Sequence, residues 1–214
     1  MGEPFQTMTK TEPFRRGYRI ATGTGILLLI TLAPLAGCSL AVGAGATAGV
    51  AASQERGLGG AIKDTTINTE IAKNWINFSP DLFVETSADV HEGRVLLTGT
   101  VSNPQVRLDA VRLAWQADGV RQMINEIQVT NEGGVADFAQ DSWITGQLRA
   151  KITFDTHVLA INYSIETVNG VIYLMGIAQD PAELDRVIRY ARNIKYVKNV
   201  ISHVRIKGTP IPGT

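Results

Sequence analysis

Apolar positions between Asp64 and Lys207 fall into two sets that superpose when the sequence is shifted by 77 residues. The shift places Asp64 on Asp141, Ile67 on Ile144 and Ile71 on Leu148. Without a gap it goes on to pair Gly93 with Gly170, Leu97 with Leu174, Gly99 with Gly176, Pro104 with Pro181, Val120 with Val197 and Ile124 with Ile201. Glycine, proline and apolar positions held in one register over such a length mark an internal repeat. The chain therefore carries two copies of one small domain, 64–130 and 141–207. A domain of this size is small for an independent core, and the short connection from Thr130 to Gln140 implies that the two copies pack together or stabilise each other.

Each copy opens on a helical stripe. Ile67, Ile71, Trp75 and Phe78 recur at i, i+4, i+8 and i+11, and Asp64 or Thr65 (Asp141 or Ser142 in the second copy) suit the N-cap. A hairpin follows, with strands expected over 83–90 and 161–168 and turns at Glu92-Gly93 and Asn169-Gly170. The next strand ends or meets close backbone at Gly99 and Gly176. Asn103-Pro104 and Asp180-Pro181 each begin a second helix, capping residue first and proline at N1. Its inner face reads Leu108, Val111 and Ala114 in one copy and Leu184, Val187, Ile188 and Ala191 in the other, with Asp185 standing where Leu108 does. A last strand runs through 123–129 or 197–206. Helix, strand, strand, helix, strand is an α+β unit, a small mixed sheet with both helices on one face.

Ahead of the repeats, Lys10, Arg15, Arg16 and Arg19 precede an apolar run from Ile26 to Leu35 interrupted by Pro34. That is the layout of a secretory signal, too short to span a bilayer. It ends in Leu35-Ala36-Gly37-Cys38, which resembles the bacterial lipobox, whose cysteine is acylated and becomes the new N-terminus. Signal peptide 1–37 and lipidated Cys38 follow from that resemblance, and Ser39 in place of aspartate implies the outer membrane. Met8, followed by Lys10, is the more ordinary start, and either methionine fits. Residues 38–63 are rich in Gly and Ala and read as a flexible tether, with a small-residue helix packed near the membrane as the alternative. Residues 208–214 form a short tail.

The 20 basic and 20 acidic residues of the 214 become 16 and 18 once 1–37 are removed. A nearly neutral chain has no global field for nucleic acid, so any anion site is local. The single cysteine excludes an internal disulfide framework.

Gly93-x-Val-x-Leu-x-Gly99, Gly170-x-Ile-x-Leu-x-Gly176 and the later Gly119-Val-x-x-Met-Ile-Asn-Glu-Ile127 resemble the BON domain. Two BON copies behind a lipobox resemble the dual-BON outer-membrane lipoproteins of the DolP (YraP) type. The resemblance implies a non-enzymatic, periplasm-facing protein. Such a protein binds anionic phospholipid such as phosphatidylglycerol through its second BON domain and supports envelope integrity.

Candidate chemistry is sparse. His91, His157 and His203 lie in a turn, a loop and a strand with no paired spacing, and no nucleophile elbow or phosphate loop is present. No cofactor and no metal site are expected. The first helix of the second copy is more informative. Ile144, Leu148 and Ile152 should face the sheet, while Trp143, Gln147, Ala150 and Phe154 form a second stripe about 90° away, with Arg149 and Lys151 on opposite flanks. Trp suits a bilayer interface and flanking cations suit phosphate. Equally, Trp143 could bury a seam against the first domain. On the residues alone the two readings stand level, and the resemblance tips them toward lipid. Trp143, Gln147, Arg149, Ala150, Lys151 and Phe154 are thus the candidate lipid-binding residues. An adaptor for an envelope complex (a secretin or the outer-membrane assembly machinery) is the alternative, and a small hydrophobic ligand between the domains a third.

Overall fold

The computed structural model describes residues 54–130 and 135–211, with the side chains of 135 and 136 left out. The expected signal segment, Cys38, most of the Gly/Ala stretch and the last three residues lie outside the described residues. In the first repeat the elements are α1 (Gly57–Phe78), α2 (Pro80–Glu85), β1 (Thr86–His91), β2 (Arg94–Val101), α3 (Pro104–Ala114), β3 (Gln122–Asn125) and β4 (Gln128–Val129). In the second they are α4 (Val135–Thr153), a 3-10 turn (Ala160–Asn162), β5 (Tyr163–Val168), β6 (Val171–Ala178), α5 (Pro181–Arg192) and β7 (Asn199–Ile206). The central strand of each sheet, β2 or β6, pairs antiparallel with the strand before it and parallel with the strand after the helix. This is the mixed sheet the repeat implies.

Alternation along the central strands decides the layering. Val95, Leu97 and Val101 of β2 join Ile67, Ile71, Trp75, Ala110 and Ala114 in one helix-covered core. Ile172, Leu174 and Ala178 of β6 do the same with Ile144, Leu148, Ile152, Val187 and Ala191. The intervening residues point the other way, and there Leu96, Tyr173 and Met175 make a third cluster with Ile124, Val168, Val171 and Ile201. The two sheets thus meet on the faces their helices leave open. Leu96 and Tyr173 are equivalent positions, and so are the partners of the polar rim. Arg205 holds Glu92 at 2.8 Å, and at the equivalent positions Gln128 holds Asn169 at 2.9 Å. Glu126 and His203, equivalent to each other, pair at 2.9 Å.

Several local expectations are corrected. Asp64 and Asp141 are not N-caps, because α1 and α4 begin well before them. Both are buried within their helices and accept the turn amides instead. Asp64 takes the N–H groups of Glu92 and Gly93 at 3.0 and 2.9 Å, and Asp141 takes those of Asn169 and Gly170 at 2.6 and 2.8 Å. Each turn has two consecutive left-handed residues, which aim successive N–H groups into one concavity that a carboxylate fills. Residues 54–63 are not a loose tether. Arg56 bonds Asp64 and the Val90 carbonyl, Gln54 and Glu55 bond Ile161 and Asn162 of the second repeat, and Ala61 is buried. Extending a helix that is already packed costs little, so Gly57, Gly59 and Gly60 join it.

The first strand starts at Thr86 rather than Phe83, because Ser79 caps a short helix with Pro80 at N1. In the second copy the 3-10 turn delays β5 to Tyr163. Phe78 is exposed beneath the Arg112 guanidinium, since Trp75 already fills the core and donates Nε1–H to the Ala110 carbonyl. Leu108 is also exposed. The inner face of α3 is Ala110, Leu113 and Ala114, so Asp185 occupies an outward position and causes no mismatch. The last strand of the first repeat breaks at Glu126-Ile127, where Asn125 accepts the Ile127 N–H and Ile127 enters the core. At Gly99 and Gly176 the strands run on, and a side chain there would collide with the Glu85 or Asn162 carbonyl.

Candidate lipid-facing surface

Helix α4 turns Asp141, Ile144, Leu148 and Ile152 inward, and these are all buried. About 130° around the helix, farther than the 90° expected, lie Trp143, Gln147, Ala150 and Phe154, all exposed. Trp143 is 45% exposed and Phe154, just past the helix end, 86%. The two are about 16 Å apart along the axis. Neither belongs to the apolar cluster between the repeats, which is built from the opposite face of the sheet. The rival reading of Trp143 as an inter-domain residue is therefore wrong, because the pleat, not the helix, supplies the contact between repeats.

What Trp143 does touch is Tyr196, in the loop between α5 and β7. The rings meet edge to face, 6.1 Å between centroids and 66° between planes. Lys195 lays its Nζ over the Tyr196 ring, 4.5 Å from the centroid. Lys151, Arg192, Lys195 and Lys198 are all exposed on this repeat. Arg149 stands apart from the stripe. It lines a groove on the other flank of α4 with Phe138, Thr145, Glu166 and Thr167. There burial and the neighbouring Asp89 push the Glu166 carboxyl up to about 7, against the opposing pull of Arg149.

Lys195 and Tyr196 do not stand out in the sequence, because no periodicity links them to α4. The charge of each repeat points to them. Residues 64–130 hold five basic and nine acidic side chains, whereas 141–207 hold nine basic and six acidic. A balance near zero for the whole chain conceals a basic second repeat and an acidic first one. Among the described residues no helix is long and apolar enough to cross a membrane.

The BON domain profile matches residues 64–131 and 140–208, which together make up more than half of the chain. The protein belongs to the BON-domain family. The chain is 34% identical to the outer membrane lipoprotein DolP of Haemophilus influenzae over 171 residues, covering 78% of this chain and 87% of that one. An uncharacterized protein of the gshII 5′ region of Anaplasma centrale is 45% identical over 147 residues, 68% of this chain and 96% of that one. The 21 kDa hemolysin of Actinobacillus pleuropneumoniae is 31% identical over 150 residues, 68% of this chain and 75% of that one. The five described α-helices and two mixed sheets make an α+β fold of two BON domains.

Proposed function

We propose that this BON-domain protein is an outer-membrane lipoprotein facing the periplasm, anchored by acyl chains on Cys38, and that its second BON domain docks on anionic phospholipid in support of envelope integrity. The observation that carries the docking is the exposed aromatic stripe of α4 on the basic repeat, free of the inter-repeat seam. Indole rings favour the headgroup depth, with the apolar body inward and the N–H among polar groups. The exposed lysines and arginines around them add attraction to a phosphate surface, about 1 kcal/mol for each cation close to it. The lipobox resemblance and the likeness to an outer membrane lipoprotein support the anchor. Acyl chains contribute about 0.8 kcal/mol per buried CH₂, so the anchor dominates retention and the α4 face sets orientation.

The test uses vesicle flotation of the unacylated chain. Trp143→Ala should weaken binding to phosphatidylglycerol vesicles by roughly tenfold, since full burial of such a ring is worth about 1.5–3 kcal/mol and a headgroup depth less. Its melting temperature should stay within a degree or two, because the ring is half exposed. Lys151→Glu should weaken binding chiefly at low salt. Unchanged vesicle binding by Trp143→Ala would dismiss the lipid assignment and favour an envelope protein partner. Labelled palmitate should enter the wild type and not Cys38→Ala.

A further inference from the structure

The corner where α4 meets the loop before β7 differs between the repeats at three positions that the 77-residue shift makes equivalent. The first repeat has Thr66, Asp118 and Gly119 there, and the second has Trp143, Lys195 and Tyr196. The backbone at the third position is left-handed in both, with φ of +94° at Gly119 and +71° at Tyr196. Glycine adopts that conformation without steric cost, whereas a bulky residue sets its Cβ against the neighbouring carbonyl. The other non-glycine residues in this region, Glu92 and Asn169, sit in hairpin turns whose geometry requires it. Tyr196 has no such excuse, since the first repeat makes the same loop with glycine.

Strain that one copy avoids and the other keeps marks a place where the side chain is needed. What the side chain does is visible. Its ring meets Trp143 edge to face and carries the Lys195 ammonium over it. With Ala139 and Gln140 these residues border a groove of about 510 Å³ open to solvent.

Building on the lipid-docking reading above, we propose that this corner is a discrete headgroup site for an anionic phospholipid. The Lys195 ammonium pairs with the phosphodiester, and the Trp143 and Tyr196 rings flank the glycerol and upper acyl carbons. Charge and shape both select this occupant. Phosphate meets a cation held in place by a ring, and two aromatics with polar tips match the apolar-to-polar gradient of the interface. A free phosphate would leave both rings unused. The first repeat, with Asp118 in place of Lys195, would repel the same headgroup.

The experiment compares Tyr196→Gly, Lys195→Asp and Lys198→Glu in the unacylated mature chain (Cys38→Ser) on phosphatidylglycerol vesicles. Tyr196→Gly should melt no lower than wild type yet bind about fivefold more weakly at both low and high salt, as loss of an aromatic contact does. Lys195→Asp should lose about tenfold. Lys198→Glu should lose less, and its deficit should vanish at high salt. Glycerol 3-phosphate should give no saturable shift of the Lys195 and Tyr196 amide signals. Wild-type affinity in Tyr196→Gly, alongside weakened Trp143→Ala, would overturn the site and leave the docking reading intact. So would equal losses for Lys195→Asp and Lys198→Glu, saturable glycerol phosphate binding, or a lower melting temperature for Tyr196→Gly. Failure of the wild type to bind vesicles at all would overturn both readings together.

Discussion

A carboxylate at the same place in each repeat does what a cap would not. Asp64 and Asp141 each join a helix to a hairpin turn by accepting two adjacent amides, so the turn geometry and the helix register specify one another. Removing the acceptor leaves two buried or half-buried N–H groups without a partner, each worth about 1–3 kcal/mol. Asp141→Ala should lower unfolding free energy by about 2–4 kcal/mol in urea titrations, and Asp141→Asn, which keeps one good acceptor, by less. Equal stability of the two variants would mean that the pairing with the turn is immaterial. The aspartates were readable as conserved in register between the copies, but not as turn clasps. Position 64 looks like a cap only while the helix is thought to start there, and the residues before it, three glycines among seven, hide the true start.

At the level of elements, α1 and the three residues before it hold the repeats together. Glu55 accepts from Gln179 and Lys207 of the second repeat, and the Lys207 hydrogen bond keeps its carboxyl below the usual range. Arg56, next in sequence, bonds Gln54 within the same segment and reaches the first repeat through Asp64 and the Val90 carbonyl. Residues 54–56 are therefore a strap across the seam rather than the end of a tether. A chain beginning at Asp64 lacks the strap, the first two turns of α1 and buried Ala61. It should still unfold cooperatively, but at a lower urea midpoint than a chain beginning at Gln54. Matching midpoints would show that the strap contributes nothing. The proline-initiated helices at Asn103-Pro104 and Asp180-Pro181 were legible, since both cap as their chemistry dictates, whereas the short one at Ser79-Pro80 was read as strand. The strap was not, because Gln54 and Glu55 have partners more than 100 residues away and Arg56 reaches a carbonyl 34 residues on.

For the whole molecule the decisive feature is the seam of sheet against sheet, and it carries titratable groups. Asp89 accepts a 2.7 Å hydrogen bond from Ser164 of the other repeat, and burial raises its carboxyl. Burial, then Asp89, lifts Glu166 from an ordinary 4.5 to about 7. Between these values the folded chain holds a proton that the unfolded chain has released. Stability from this group is thus full below about pH 4.5 and declines as pH rises to about 7. Glu166→Gln should flatten that decline and raise the urea midpoint at pH 7.5 relative to wild type, with little change at pH 4.5. A wild-type midpoint that rises from pH 5 to 7, with Glu166→Gln following the same curve, would refute the assignment.

The sequence by itself determined the two repeats, their helix–strand–strand–helix–strand order and the outward stripe of α4. All of these follow from spacing within a few dozen residues, through helical period, turn chemistry and proline at N1. Tertiary structure alone decided which faces the repeats share and which residues surround Trp143. Periods of two and 3.6 say that a position faces in or out of its own element, not what stands opposite. The other faces of β2 and β6 became core because another copy of the same surface covers them. Tyr196 joined the surface proposed to face lipid because a left-handed backbone, invisible in composition, turns its ring toward an indole 53 residues earlier.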